Sequence, residues 1–187
     1  MKPLAQLLPL ALALVVASAG VRAQEAPEAE ALPIPDPPTV AARSYLLVDH
    51  NSGAVLAESN ADERLEPASL TKILTAYVVF RELAGGNLAL EDEALISEKA
   101  WRTGGSKMFI EVGKRVTVED LLKGMIIQSG NDASVALAEH VAGSEETFAG
   151  LMNTHAQRLG MTNSHFTNAT GLPHPEHYTT ARDMVLV

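Results

Sequence analysis

Two short runs of this 187-residue chain hold the residue types that nucleophilic catalysis needs: PASLTKILTAY at 67–77 and QSGNDAS at 128–134. In the first, Ser69 and Lys72 stand three apart, so on a helix they share a face and the amine can reach the hydroxyl. A helix start adds unpaired backbone N–H groups and a positive dipole end, which favour a developing alkoxide and offer one donor to an oxyanion. Lys72 can act as a base only if it is neutral part of the time. Burial against an apolar helix and a nearby second cation would each push its pKa down. In the second run, Ser129-Gly130-Asn131 falls at a break between two apolar segments. There Ser129 can relay a proton to a leaving group, and the Asn131 amide can bind a substrate carbonyl while bonding Lys72.

Each run also has a plain structural alternative. With eleven serines and six lysines in the chain, about a third of one Ser-x-x-Lys is expected by chance, so the spacing alone is weak. Ser69 could be a helix N-cap and Lys72 a snorkelling surface lysine. Ser129, Gly130 and Asn131 are all turn formers and could simply join two helices. Both runs together, on apolar helices, are harder to dismiss.

The elements that must position these residues are legible from patterning. Tyr45 to Val48 and Ala54 to Ala57 are β-rich runs around the turn cluster Asp49-His50-Asn51-Ser52-Gly53, which predicts a hairpin. The helix after Pro67 has apolar residues on nearly every side, which predicts burial in the middle of a domain, and Gly85-Gly86 ends it. Residues 87–116 read as irregular, with a loop or lid around Gly104-Gly105-Ser106. Thr117 to Asp120 resembles a capping box before VEDLLKGMIIQ; Asp132 can cap the next helix, and Ser144 a third that Gly160 closes. Thr180 to Asp183 begins another capped helix only a few residues before Val187, which predicts that the natural chain continues.

The N-terminal stretch MKPLAQLLPLALALVVASAGVRA, residues 1–23, has a positive Lys2, an apolar run and a small-residue cleavage pattern at Val21-Arg22-Ala23. This predicts a secretory signal peptide, with an uncleaved anchor as the alternative. Residues 24–41 are rich in Pro, Glu and Ala and predict a solvated linker, leaving 42–187 as the folded domain. The formal net charge is −9, which argues against nucleic acid as a partner. The chain has no cysteine, so no disulfide and no thiolate chemistry is available; an exported protein without disulfides fits a bacterial envelope. His50, His140, His155, His165, His174 and His177 have no metal-ligand spacing, and Asn168-Ala169-Thr170 reads as an accidental glycosylation triplet.

PASLTKILTAY, IIQSGNDASVALAEH, LGMTNSHFTNATGL and YTTARDM resemble the low-molecular-mass penicillin-binding proteins of the D-alanyl-D-alanine carboxypeptidase type. SYLLVDHNSGAVLAESNADERLEPAS resembles that family's opening hairpin. The resemblance runs from about Arg43 to the last residue. It implies an α/β (α+β) fold of the β-lactamase/transpeptidase kind, an antiparallel sheet with a helical subdomain. It also implies a periplasmic serine acyltransferase without metal or organic cofactor. Ser69 would attack the carbonyl between the two D-alanines of a peptidoglycan stem peptide. Lys72 would activate Ser69 and Ser129 would pass the proton, with Asn131 and Gly130 on the substrate-binding side. β-Lactam antibiotics would acylate Ser69 and leave slowly.

The family's third element, Lys-Thr-Gly or Lys-Ser-Gly, does not occur in this sequence. The resemblance places it beyond Val187, together with later sheet strands and a C-terminal membrane anchor. Without those strands the hairpin is marginal, and residues 24–187 alone are expected to fold poorly. A class A β-lactamase is disfavoured by Gly130, since those enzymes carry Ser-Asp-Asn. A peptidoglycan D,D-endopeptidase and a non-catalytic peptidoglycan-binding protein remain as alternatives.

Overall fold

The computed structural model describes residues 40–187. The expected signal peptide and nearly all of the expected linker lie outside the described residues. Strands β1 (Tyr45–Val48) and β2 (Val55–Ser59) form the expected antiparallel hairpin, pairing Tyr45 with Ser59 and Val48 with Val55, with a register irregularity between Leu47 and Val48. Its turn is held by Asp49, whose carboxylate accepts from both the amide and the hydroxyl of Ser52, as an Asx turn does.

A 3₁₀ turn, Ala68–Leu70, leads into helix α1 (Thr71–Ala84). Residues 87–116, expected to be irregular, contain three short elements: β3 (Glu93–Leu95), α2 (Glu98–Arg102) and β4 (Arg115–Thr117), with β3 and β4 pairing antiparallel. Three-residue strands carry too little alternation to stand out in a sequence. Helices α3 (Val118–Gln128), α4 (Asn131–Ala142) and α5 (Glu145–Leu159) follow, and α6 (Ala181–Met184) is a single turn. Among the described residues no helix is long and apolar enough to cross a membrane.

Three of the predicted caps form. The hydroxyls of Thr117, Ser144 and Thr180 accept from the amides of Asp120, Thr147 and Asp183 respectively, each satisfying a donor that the helix cannot. Asp132 is a correction. It lies inside α4 rather than before it, and Gly130 is the N-cap. The Asp132 carboxylate, wholly buried, accepts from the backbone N–H groups of Met108, Phe109 and Ile110 at 3.0, 2.9 and 3.3 Å. A carboxylate is an acceptor only, so a buried one is stabilised best by several converging N–H groups; here the returning loop supplies three of them and the helix start one, from Ala133.

Helix α4 is the core of the helical layer and packs on α1, α2, α3 and α5. Its small residues Ala133, Ala136 and Ala138 are buried with Val135 and Leu137, and short side chains allow close approach on several sides. The opening helix corrects the second expectation. Leu74, Val78 and Val79 of α1 are fully buried, but Ile73 and Phe80 are 47% and 48% exposed. Ile126 and Ile127 of α3 are exposed as well. The apolar surface of α1 therefore divides between the core and one wall of a cleft.

Candidate active site

That cleft, about 420 Å³, is lined by Ser69, Lys72, Ile73, Ala76, Tyr77 and Phe80 on one side and by Met125, Ile126 and Ser129 on the other. Ser69 occupies the middle of the 3₁₀ turn, and its side chain makes no capping bond to the helix that follows. The capping alternative for Ser69 therefore fails, and its hydroxyl is free for other partners. The residue before it, Ala68, has φ +47°. That region is unfavourable for a residue with a Cβ, and such strain is found where a side chain must be held at an awkward place.

The tight turn is enforced from outside. Gly171, at φ +85°, lies so close to it that a Cβ there would stand 1.8 Å from the carbonyl oxygen of Ala68 and 2.9 Å from Thr71 Oγ1. Only glycine fits this contact.

Lys72 is not a surface lysine; it is 7% exposed. Its Nζ lies 2.7 Å from Asn131 Oδ1, 2.8 Å from the carbonyl oxygen of Thr170 and 3.3 Å from Ser69 Oγ. Among the described residues no carboxylate pairs with it. Burial lowers its pKa from 10.5 to about 8, because removing the amine from water penalises the charged form. Among the described residues no second cation contributes to this shift. At pH 7 about a tenth of such a lysine is neutral, against a few parts in ten thousand for an ordinary one. The two shorter bonds engage two N–H groups of the neutral amine, which turns its lone pair toward Ser69.

Ser129 closes the other side of Ser69. It terminates α3 with φ +53°, and its hydroxyl donates to Ser69 Oγ at 3.1 Å. Gly130 is buried in the turn and its amide donates to the carbonyl of Gly124. Asn131 is buried too, and behind Lys72 it works in two directions: Oδ1 accepts from the lysine, while Nδ2 donates to the carbonyl of Gly104 at 2.7 Å. Its backbone amide donates to the carbonyl of Ser106. The expected loop around Gly104 is thus fastened to the site through Asn131. A Cβ on Gly105, at φ +84°, would lie 2.6 Å from Asn131 Nδ2.

The structure accordingly gathers Ser69, Lys72, Ser129 and Asn131 into one hydrogen-bonded group, with Gly130 as the turn between two of them. Sequence reasoning missed Thr170, whose contribution is a main-chain carbonyl without a residue signature. The loop that presents it is held by Asn168, whose Oδ1 accepts from the Thr170 and Gly171 amides and from Thr170 Oγ1. The Asn168-Ala169-Thr170 triplet is therefore a turn-building device. Turn chemistry in T-N-A-T-G was the available signal for it. A buried amine of lowered pKa, oriented on a serine hydroxyl that a second hydroxyl also touches, is suited to nucleophilic catalysis through an acyl-enzyme.

The sequence profile of a family described as D-alanyl-D-alanine carboxypeptidase, Peptidase_S11, matches residues 32–187. The D-alanyl-D-alanine carboxypeptidase DacC of Escherichia coli (strain K12) is 52% identical over 156 residues, 80% of this chain and 39% of the relative. DacA of the same strain is 46% identical over 160 residues, 82% of this chain and 40% of the relative. The chain spans about two fifths of the length of these curated relatives. Among solved structures, the D-alanyl-D-alanine carboxypeptidase DacD from Francisella tularensis superposes with a TM-score of 0.81 at 44% identity, covering 86% of this chain and 39% of that one. Penicillin binding protein 5 from Haemophilus influenzae gives 0.78 at 45%, covering 81% and 45%. The mixed helical and antiparallel architecture is thus part of the penicillin-binding fold, as the resemblance implied. On the profile match and on these identities, the chain belongs to the D-alanyl-D-alanine carboxypeptidase family.

Proposed function

We propose that this chain carries the nucleophilic centre of a serine-type D-alanyl-D-alanine carboxypeptidase that removes the terminal D-alanine from peptidoglycan stem peptides. The observation that carries this reading is the placement of Lys72 Nζ 3.3 Å from Ser69 Oγ, with Asn131 Oδ1 and the Thr170 carbonyl engaging the amine from behind. In acylation, Ser69 Oγ forms a bond to the carbonyl carbon between the two D-alanines, and its proton passes to the neutral Lys72 amine. The tetrahedral adduct collapses by breaking the C–N bond. The departing D-alanine nitrogen takes a proton from Lys72 by way of Ser129, whose hydroxyl bonds Ser69. Water then attacks the ester carbonyl and gives a proton to Lys72, which passes it to Ser69 Oγ as the ester C–O bond breaks, restoring the serine hydroxyl and the neutral amine. A backbone N–H in the first turn at Ser69 is suited to stabilise the oxyanion.

A β-lactam enters the same sequence, with its strained amide in place of the peptide. Ile73, Tyr77, Phe80 and Ile126 give the substrate an apolar cleft beside the amine. The leader-like residues 1–23 and the Pro-rich 24–41 fit an exported, periplasmic enzyme tethered or released near the membrane.

The test is fluorescent-penicillin labelling with peptide mapping of the adduct, beside cleavage of a stem pentapeptide. A label on Ser69 that Ser69→Ala abolishes, with release of D-alanine from the pentapeptide, is the expected result. Labelling elsewhere, or release only from crosslinked peptides, would overturn the reading.

A further inference from the structure

His177 is 2% exposed and takes no part in the chemistry above. Its ring sits between two segments that the site depends on. Nδ1 accepts from the backbone N–H of Thr167 at 3.1 Å, which requires an unprotonated Nδ1. The ring proton therefore belongs to Nε2, which donates to Thr71 Oγ1 at 2.8 Å. Phe166 meets the ring edge-on, with centroids 5.5 Å apart and planes at 89°, so the imidazole is packed as well as bonded.

Thr71 is the first residue of α1, two residues after Ser69, next to Lys72 and fully buried. Thr167 opens the loop 167–171, whose Thr170 carbonyl holds Lys72 and whose Gly171 presses on the Ala68 turn. Other bonds hold the far side of this loop: the Ala169 amide donates to Glu145 Oε1, and Thr75 Oγ1 donates to the Ala169 carbonyl. At Thr167, His177 links the loop to the residue beside the reacting pair.

We propose that His177 is a positioning residue for the Ser69 chemistry: its Nε2–H tautomer clamps loop 167–171, and with it the Thr170 carbonyl, onto the helix turn that carries Ser69 and Lys72. The inference rests on the reading of Ser69 as nucleophile only for its effect on rate; its effect on Lys72 is independent of that reading. Burial keeps the imidazole neutral, with a pKa of about 4, and the nearby His165 and His174 add to this. The imidazole therefore stays uncharged across the neutral range, and its tautomer is set by the bonds to Thr167 and Thr71. If the clamp opens, water reaches Lys72. Because burial is what lowers the lysine's pKa, its midpoint then climbs back toward 10.5.

The measurement is made on the full chain labelled with ¹³Cε-lysine and ¹⁵N-histidine. It compares wild type with His177→Gln, which retains a donor near Nε2 but no acceptor near Nδ1, and with Thr71→Val, which leaves the imidazole intact and removes its acceptor. The wild-type ¹⁵N spectrum should show Nε2 protonated and Nδ1 bare. Both variants should raise the Lys72 midpoint by half a pH unit or more, and slow fluorescent-penicillin acylation at pH 7 about tenfold, the size expected when a positioned group is misplaced. Affinity before acylation should be nearly unchanged. An unmoved Lys72 midpoint in both variants overturns the proposal, even if thermal stability falls, because a purely structural histidine would lower stability alone. A protonated Nδ1 in the wild type overturns it too. If the wild type is never acylated and yet the Lys72 midpoint follows His177, the clamp stands and the nucleophile assignment fails.

Discussion

The Nζ of Lys72 lies 2.8 Å from the carbonyl oxygen of Thr170, 98 residues further along the chain. With Asn131 Oδ1 at 2.7 Å, this carbonyl leaves the amine one direction for its lone pair, and Ser69 stands in it. The pH behaviour of the site follows from that arrangement.

With Lys72 as the proposed base, acylation of Ser69 would require the neutral amine, so its rate should rise tenfold per pH unit up to the Lys72 pKa of about 8 and level off above it. Stability moves in the same direction. The folded-state pKa lies below that of an unfolded lysine, so burial of Lys72 opposes folding most below pH 8, and this penalty fades as pH climbs toward 10.5. Stopped-flow β-lactam acylation between pH 5.5 and 10 checks the first statement. A flat profile, or a midpoint near 10, would show that Lys72 is not the base.

Asn131→Asp should shift that profile. A carboxylate 2.7 Å from the amine favours the charged form, so the midpoint should rise by a unit or more and the rate at pH 7 should fall about tenfold. The substitution also removes the Nδ2 donor to Gly104. Amide hydrogen exchange around 104–106 should quicken in the same variant.

Gly171→Ala and Gly150→Ala should behave oppositely. The first would drive a methyl group into the Ala68 backbone at a φ of +85°, and neither backbone can yield cheaply. Thermal unfolding should drop sharply and penicillin labelling should vanish. Gly150 lies in α5 with open space where its Cβ would be, so alanine there should stabilise by about 0.5–1 kcal/mol and leave labelling unchanged.

Asp132→Asn keeps the size of the side chain but turns one of two acceptor oxygens into a donor facing backbone N–H groups. Asp132 accepts from Met108, Phe109, Ile110 and its neighbour Ala133, so at least one buried N–H loses its partner, at about 1–3 kcal/mol. Denaturant unfolding should record that loss, and exchange protection at 108–110 should fall before that of α4. Equal protection in both segments would argue that the carboxylate does not hold the loop.

Much of this was legible in the sequence because it depends on near neighbours. Residues three apart at a helix start share a face, so the pairing of Ser69 with Lys72 depends only on local geometry. The caps at Thr117, Ser144 and Thr180 involve bonds spanning three residues, and the hairpin follows from alternation around an Asx turn. Long-range packing decided the rest. Whether α1 buries Ile73 and Phe80 or presents them to a cleft depends on what covers them, which helical periodicity cannot tell. Asp132 at a helix start looks like a cap in any sequence; only the returning loop 108–110 shows that its carboxylate is committed elsewhere. The Thr170 carbonyl and the imidazole of His177 reach Lys72 and Thr71 from 98 and 106 residues further along the chain. A main-chain carbonyl is the same in every residue, so nothing in the chain's chemistry marks this one until folding brings it to Lys72.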